Sequence, residues 1–389
     1  MSTDEIITKL DYYLEQPDNK YNILQMNCTL VTACFDCSKY NKYCRSINDF
    51  LYAIDSLLKT PCYLVIYTDR DLHEHIMKKR NEYGMSSLTN YIIMDVEDLD
   101  SFQYIDVVKK NREQYHPSKD KRTCAESHLV CCSKFELVLK TIESNPFNTT
   151  KFGWIDATVG VNFSKVCTDY KNNMLLDILE RCDDNKFYVQ VLNSCNKKFT
   201  KSENFKEYYQ QYRWVVCGGM FVTGKEKGVI FLNELNDIFK KHTLAGYGHG
   251  EEMFYLELLD KHFDEIEKSY GDYQHILNNF LDINIGLDYI LNISRNYLHN
   301  KSYKECIDCC KKAIKRYGSY SIELNYDTYF KFLFNLYLAS YYHLGKEQAA
   351  EIVNKIKTLS DNNPYLRNVY LNNQSFYDKQ FEYSKPTPI

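Results

Sequence analysis

The residues of this 389-residue chain that invite a chemical reading are carboxylates and glycines set at the ends of apolar runs. In "KFGWIDATVG" (151–160) the apolar pair Trp154 and Ile155 stops at Asp156, and small residues follow. Thr32 and Asp36 mark the end of "CTLVTACF" (28–35), Thr68 and Asp69 close "CYLVIYTD" (62–69), and Gly218 with Gly219 interrupts "RWVVCGGMFVTG". Each aspartate has an ordinary explanation as a turn former. The alternative is a shared ligand, because a parallel α/β sheet binds its ligands beyond the carboxyl ends of its strands. Their agreement in position weighs for a shared ligand, and a sugar nucleotide is one whose needs can be set against these residues. Such a ligand needs acceptors for base or ribose, counter-charge for a diphosphate, and a carboxylate-held Mg²⁺ or Mn²⁺.

Counter-charge is offered by Lys134 as a point charge and by Arg80, in "HIMKKRNEYG", as a bidentate fork. The competing readings are a solvated helix face for Lys134 and an exposed charge run for Arg80. "GHGEEM" supplies the acid–base candidates: Glu251 or Glu252 would take the proton from an acceptor hydroxyl as it attacks an anomeric carbon. Complementing the positive end of a helix would explain both glutamates without chemistry. His275 in "GDYQHILNNF" and His249 in "GHGEE" are candidates to complete an ion's coordination, against a plain hydrogen-bonding role. Gly218 and Gly219 read as close approach to a sugar, or as a β-bulge.

The elements that must position these residues follow from hydrophobic period. Buried strands are expected at 28–35, 62–69, 90–95 and through "KFGWID", with helices at 46–60, 71–83 and 127–145 between them. That rhythm predicts an α/β fold: a Rossmann-like, mostly parallel sheet flanked by helices, with right-handed crossovers. "FYVQVLNS" and "RWVVCGGMFVTG" add strands, and "GVIFLNELNDIFKKHT" and "HGEEMFYLELLDKHF" add helices. After about residue 283 no strand pattern remains, and two segments read as tetratricopeptide-like helical hairpins, the second with Gly345 at its turn. The expected domains are 1–282, carrying the crevice, and 283–389, all helical.

Composition narrows the function classes. The 48 basic and 52 acidic residues nearly balance, with no basic stripe that asks for nucleic acid. The 15 cysteines are odd in number in a long chain that opens on an amphipathic acidic segment, so reduced thiols in the cytoplasm are expected. The pairs Cys34/Cys37 and Cys306/Cys309 have zinc-like spacing without a convincing partner pair. No apolar run reaches the ~20 residues of a membrane span.

The ordered set "TLVTACFD", "PCYLVIYTD", "SKFELVLKTIESNPF", "FGWIDATVG", "GGMFVTG" and "GEEMF", from about residue 27 to 283, resembles the HtrL/YibB family. That family is associated with GT-A type glycosyltransferases, often in surface polysaccharide gene clusters. The resemblance implies a UDP-sugar-like donor against the first strands, with Asp156 standing for the metal-binding "DxD"; here Ala157 and Thr158 follow it, so the motif is incomplete. The expectation is a metal-assisted transferase passing a sugar to a hydroxyl of a glycan, glycolipid or glycoprotein. The alternative is a binding module that keeps the cleft without chemistry and is recruited through its helical hairpins, which offer a surface for a protein partner or self-association.

Overall fold

A computed structural model of the chain describes residues 27–114, 120–159, 171–248, 250–282, 286–319 and 326–361, with isolated positions beyond. Backbone contacts group them into two compact units that meet in sequence between Ile285 and Gly286.

In the first unit the chain runs β1 (Cys28–Cys34), α1 (Ile47–Leu58), β2 (Tyr63–Thr68), α2 (Arg70–Glu82), β3 (Thr89–Ile93), α3 (Ile105–Gln114), α4 (Ala125–Cys132) and α5 (Lys134–Ser144). It continues β4 (Lys151–Ile155), α6 (Asn172–Arg181), β5 (Phe187–Val191), α7 (Phe205–Tyr209), β6 (Val216–Gly224), α8 (Lys225–Leu244), α9 (Tyr255–His262), β7 (Ile266–Tyr270) and α10 (Ile276–Leu281). The seven strands form one sheet in the order β3-β2-β1-β4-β6-β5-β7. Strand β6 is antiparallel to both its neighbours, and the other pairings are parallel. This is the α/β fold with a mostly parallel, helix-flanked sheet that the alternating pattern predicts.

Side-chain alternation divides the core between the two faces. Cys28, Leu30 and Cys34 of β1 join Ile54, Leu57 and Leu58 of α1 and residues of α6 and α10 in one cluster. On the opposite face α5 and α8 lie against the strands. There Phe187 stacks on Phe221 at 5.4 Å and meets Phe231 of α8 edge-on at 5.5 Å. Loop ends are fixed by capping: Ser46 and Asp49 form a reciprocal box at the start of α1, and Asp69 accepts from the Leu72 amide at the start of α2.

Three local expectations change. The glycine pair does not interrupt its strand: β6 runs unbroken and buried from Val216 to Gly224. The β5–β6 register does slip there, since Val189 pairs with Phe221 and Val191 with Val216, two steps on one strand against five on the other. The helix expected at 127–145 is two helices parted at Ser133. Strand β7 is an addition, hidden in "IEKSY" by its charges; its Lys268 is buried and donates to the carbonyl of Ile266 at 2.7 Å.

The second unit comprises α11 (Leu287–His299), α12 (Tyr303–Ser319), α13 (Tyr326–Leu344) and α14 (Lys346–Asp361), each packed on the next. Small residues sit where helices approach: Ser294 accepts from Asn335 Nδ2 at 2.9 Å, and Cys306, Cys310 and Ala313 are buried. Gly345, at φ +99°, makes the turn between α13 and α14, a conformation other residues adopt at a cost.

Candidate functional site

A cavity of about 410 Å³ opens beside the carboxyl ends of β1 and β4. That size lies in the range of ligand pockets, roughly 300–1,000 Å³. Ala33 and Phe35 come from β1 and the residues after it, Trp154 and Asp156 from β4 and its end, Gly219 from β6, and Lys134 from the start of α5. Because β6 runs antiparallel, its first residues reach the same sheet edge as the carboxyl end of β4. There the Asp156 amide donates to Gly219 O at 2.9 Å.

Asp156 is the best-defined polar group on this wall. Its Oδ1 accepts from Trp154 Nε1 at 2.7 Å and lies 3.4 Å from Lys134 Nζ. Its side chain is 31 % exposed, and Oδ2 takes no hydrogen bond from the described residues. One oxygen is therefore fixed and the other is open, which presents a carboxylate in a set orientation. The "WID" run explains itself locally: the indole two residues earlier on the strand lies on the same face and holds the carboxylate.

Lys134 is not the solvated helix residue its sequence context allowed. It is buried, with Nζ 2.6 Å from Glu251 Oε1 and 2.7 Å from Gly218 O, and it lies over the Trp154 ring at 5.3 Å. Burial opposes its charge, but Asp156 and Glu251 outweigh that and hold the ammonium pKa well above its usual value. Gly218 is required by this packing, since a Cβ there would stand 2.2 Å from Glu251 Oε1. The glycine makes room for a glutamate of the protein itself.

Glu251 and Glu252 are both buried, and neither lines the cavity. Glu252 Oε1 accepts from the Gly218 amide at 3.3 Å, and Oε2 is hydrogen-bonded by the Tyr212 hydroxyl. Burial, reinforced by the neighbouring Glu251 charge, pushes the Glu252 pKa up to about 8. Tied to Tyr212 and Gly218 and absent from the cavity wall, Glu252 has a structural place here instead of the base position expected of it. Glu251 is the counter-ion of Lys134.

Other expected residues are placed elsewhere. Arg80 is fully buried and donates to the carbonyls of Leu58, Thr60 and Cys62 at 2.7–2.8 Å and to Thr89 Oγ1 at 2.8 Å. It ties α1, β2 and β3 together and does not reach the cavity. Thr32 shares the face of Leu30 and Cys34, turned from the cavity wall of Ala33 and Phe35, and its hydroxyl is buried in the core. Asp36 and Asp69 stitch loops: the Asp36 amide donates to Asp69 Oδ2 at 2.5 Å, and Asp36 Oδ1 accepts from the Ser38 amide at 2.8 Å. Thr68 is buried beside them. His275 Nδ1 pairs with Asp272 Oδ1 at 2.9 Å, and His275 does not line the cavity. His249 lies outside the described residues.

Arg45, Arg122 and Tyr273 are among the wall residues that sequence reasoning missed. Arg45 lies in the loop after β1, just before the Ser46 cap, and is in electrostatic reach of Asp156 and Tyr273; burial lowers its pKa to about 10, against the pull of Asp156. Arg122, just before α4, binds Asp120 through Nη2–Oδ2 at 2.6 Å and Nε–Oδ1 at 3.0 Å. Tyr273 follows β7. Arg45 was findable by applying the carboxyl-end rule to the whole loop rather than to its first residue.

Among the described residues no three His, Cys, Asp or Glu side chains gather as a metal site. Asp156 offers one open hard oxygen. That suits an ion such as Mg²⁺, which keeps several waters and binds through one or two carboxylates plus substrate phosphates; it does not amount to a protein cage. Among the described residues no helix is long and apolar enough to cross a membrane.

No curated protein matches the chain. Among solved structures, apo mouse xyloside xylosyltransferase 1 is similar at 12 % identity and a TM-score of 0.34, over 63 % of this chain and 84 % of that one. The family model HtrL_YibB, described as a bacterial protein of unknown function, matches residues 26–247, more than half the chain, and the chain belongs to that family.

Proposed function

We propose that the first unit is a glycosyltransferase that takes a nucleotide-activated sugar, a UDP-sugar, and passes the sugar to a hydroxyl of a glycan, glycolipid or glycoprotein. The observation that carries this reading is Asp156: one oxygen is fixed by Trp154 and Lys134 and the other is open on a cavity at the carboxyl ends of the strands. Apolar faces of Phe35, Phe50 and Trp154 give the cavity flat surface for a base or sugar, while Arg45 and Arg122 supply guanidinium groups to a diphosphate. A divalent ion bound with that diphosphate would take Asp156 Oδ2 as its protein ligand and neutralise charge on the leaving group. The chain's own residues orient the donor and shield it from water, and the buried Lys134–Glu251 pair fixes the wall on which Asp156 stands.

Incubation with Mg²⁺ or Mn²⁺ and a panel of UDP-sugars tests this through release of free UDP, which Asp156→Asn should suppress. Full turnover by a folded Asp156→Asn protein would end the proposal. A second reading, a sugar-nucleotide-binding module without turnover, draws on the burial of Glu251 and Glu252 and their absence from the cavity wall. Saturable UDP-sugar binding without UDP release would select it.

A further inference from the structure

The loop between β7 and α10 is built around Asp272. Asp272 Oδ1 accepts from the amides of Gln274 and His275 at 2.9 and 3.1 Å and pairs with His275 Nδ1 at 2.9 Å. Its carbonyl accepts from Gln190 Nε2 of β5 at 2.6 Å and from Asn279 Nδ2 of α10 at 2.9 Å. Gly271 leaves room for Asn279, whose Oδ1 would lie 2.0 Å from a Cβ at that position. Five hydrogen bonds and a glycine thus hold the residue before Tyr273 from three directions. The histidine singled out in "GDYQH" is one of the ties, and the residue that the loop brings to the cavity is Tyr273.

Tyr273 lines the cavity, is 39 % exposed, and its hydroxyl has no hydrogen-bond partner among the described residues. Its surroundings still desolvate the phenol enough, with Cys217 and Asp156 adding to the effect, to hold its pKa well above the usual value. The hydroxyl therefore keeps its proton and acts as a donor. Arg45 is in electrostatic reach of both Tyr273 and Asp156, so a cation and a neutral donor border the space beside the open Asp156 oxygen. A guanidinium and a phenol hydroxyl at one space, offering hydrogen-bond donors, recognise anionic oxygen.

We propose that Tyr273 is a ligand-contacting residue whose hydroxyl donates a hydrogen bond to a phosphate oxygen of the nucleoside diphosphate bound beside Asp156. This rests on the sugar-nucleotide reading of the cavity and adds to it a residue at a place no strand-end rule marks. Calorimetric titration of UDP in the presence of Mg²⁺ into the full chain and into Tyr273→Phe tests it. Loss of one hydrogen bond to a charged group should weaken UDP binding about tenfold. The melting temperature should not change, because the hydroxyl bonds to no described residue. UDP affinity of Tyr273→Phe within twofold of the unaltered protein overturns the tyrosine's role alone. A lowered melting temperature accompanying weaker binding also overturns it, in favour of a structural role. No UDP binding by the unaltered protein overturns the nucleotide reading together with it.

Discussion

Arg80 and Lys134 are both buried cations in the same unit, and they do different work. Arg80 is surrounded by neutral acceptors, three backbone carbonyls and the Thr89 hydroxyl. Lys134 is held by carboxylates, Glu251 on one side and Asp156 on the other, besides Gly218 O. A fork of guanidinium donors suits scattered carbonyls at a chain crossing, and there the cation serves the fold. An ammonium between carboxylates sets the field and orientation of groups on a cavity wall. Burial by itself distinguishes nothing here; the partners do.

The contrast sets the order of the tests. Lys134→Met leaves Glu251 buried without its counter-ion, and we expect a loss of about 3–5 kcal/mol in urea unfolding together with loss of UDP-sugar turnover. Arg80→Met orphans several buried acceptors and should cost about 3 kcal/mol, while the folded protein at low temperature keeps its UDP affinity. If Arg80→Met weakened UDP binding as much as Lys134→Met, the division between the two cations would fail. Asp156→Asn should reduce turnover about 100-fold, in line with losing one preorganised electrostatic group, and lower the urea midpoint less than Lys134→Met does, because Glu251 still pairs with the ammonium.

Smallest per step, though it accumulates across its window, is a pH slope. Glu252 has its pKa raised from 4.5 to about 8 in the folded protein by burial and by Glu251. Between those values the folded state holds a proton that the unfolded state releases. Stability should therefore fall as pH rises through that window, by at most about 1.4 kcal/mol per pH unit, and level off above it. Glu136, raised to about 7 by burial, contributes in the same direction. Comparing urea midpoints at pH 5 to 8 for the unaltered chain and Glu252→Gln isolates Glu252; identical slopes would show that Glu252 is ionised in the fold.

Much of the fold was legible in the chain. The strands from β1 to β4 and the helices α1 and α2 announce themselves by apolar runs, caps and Pro61, and the helical hairpins by their small residues, whereas α3 was not marked and α4 and α5 read as one helix. Strand β7 was hidden because its apolar period is broken by two adjacent charges, Glu267 and Lys268, of which Lys268 is buried. Within the site, Asp156, Lys134 and Gly219 were named from sequence and do meet at the cavity. Thr32, Asp36 and Asp69, named as strand-end residues, and Arg80, named for its charge, do not. A strand-end position specifies the edge of the sheet, while the face and the local caps decide whether a side chain enters the cavity.

By itself the sequence determined the α/β rhythm, the mostly parallel sheet and the edge at which the cavity opens, because hydrophobic period and strand ends are local properties. Only the tertiary structure decided which charges are neighbours. Lys134 and Glu251 are separated by 117 positions, yet their side chains are 2.6 Å apart. Tyr273 reaches the cavity from a loop fixed by Gln190 and Asn279. Pairings of that kind depend on how strands order in the sheet, which packing of the whole unit selects and no single segment encodes.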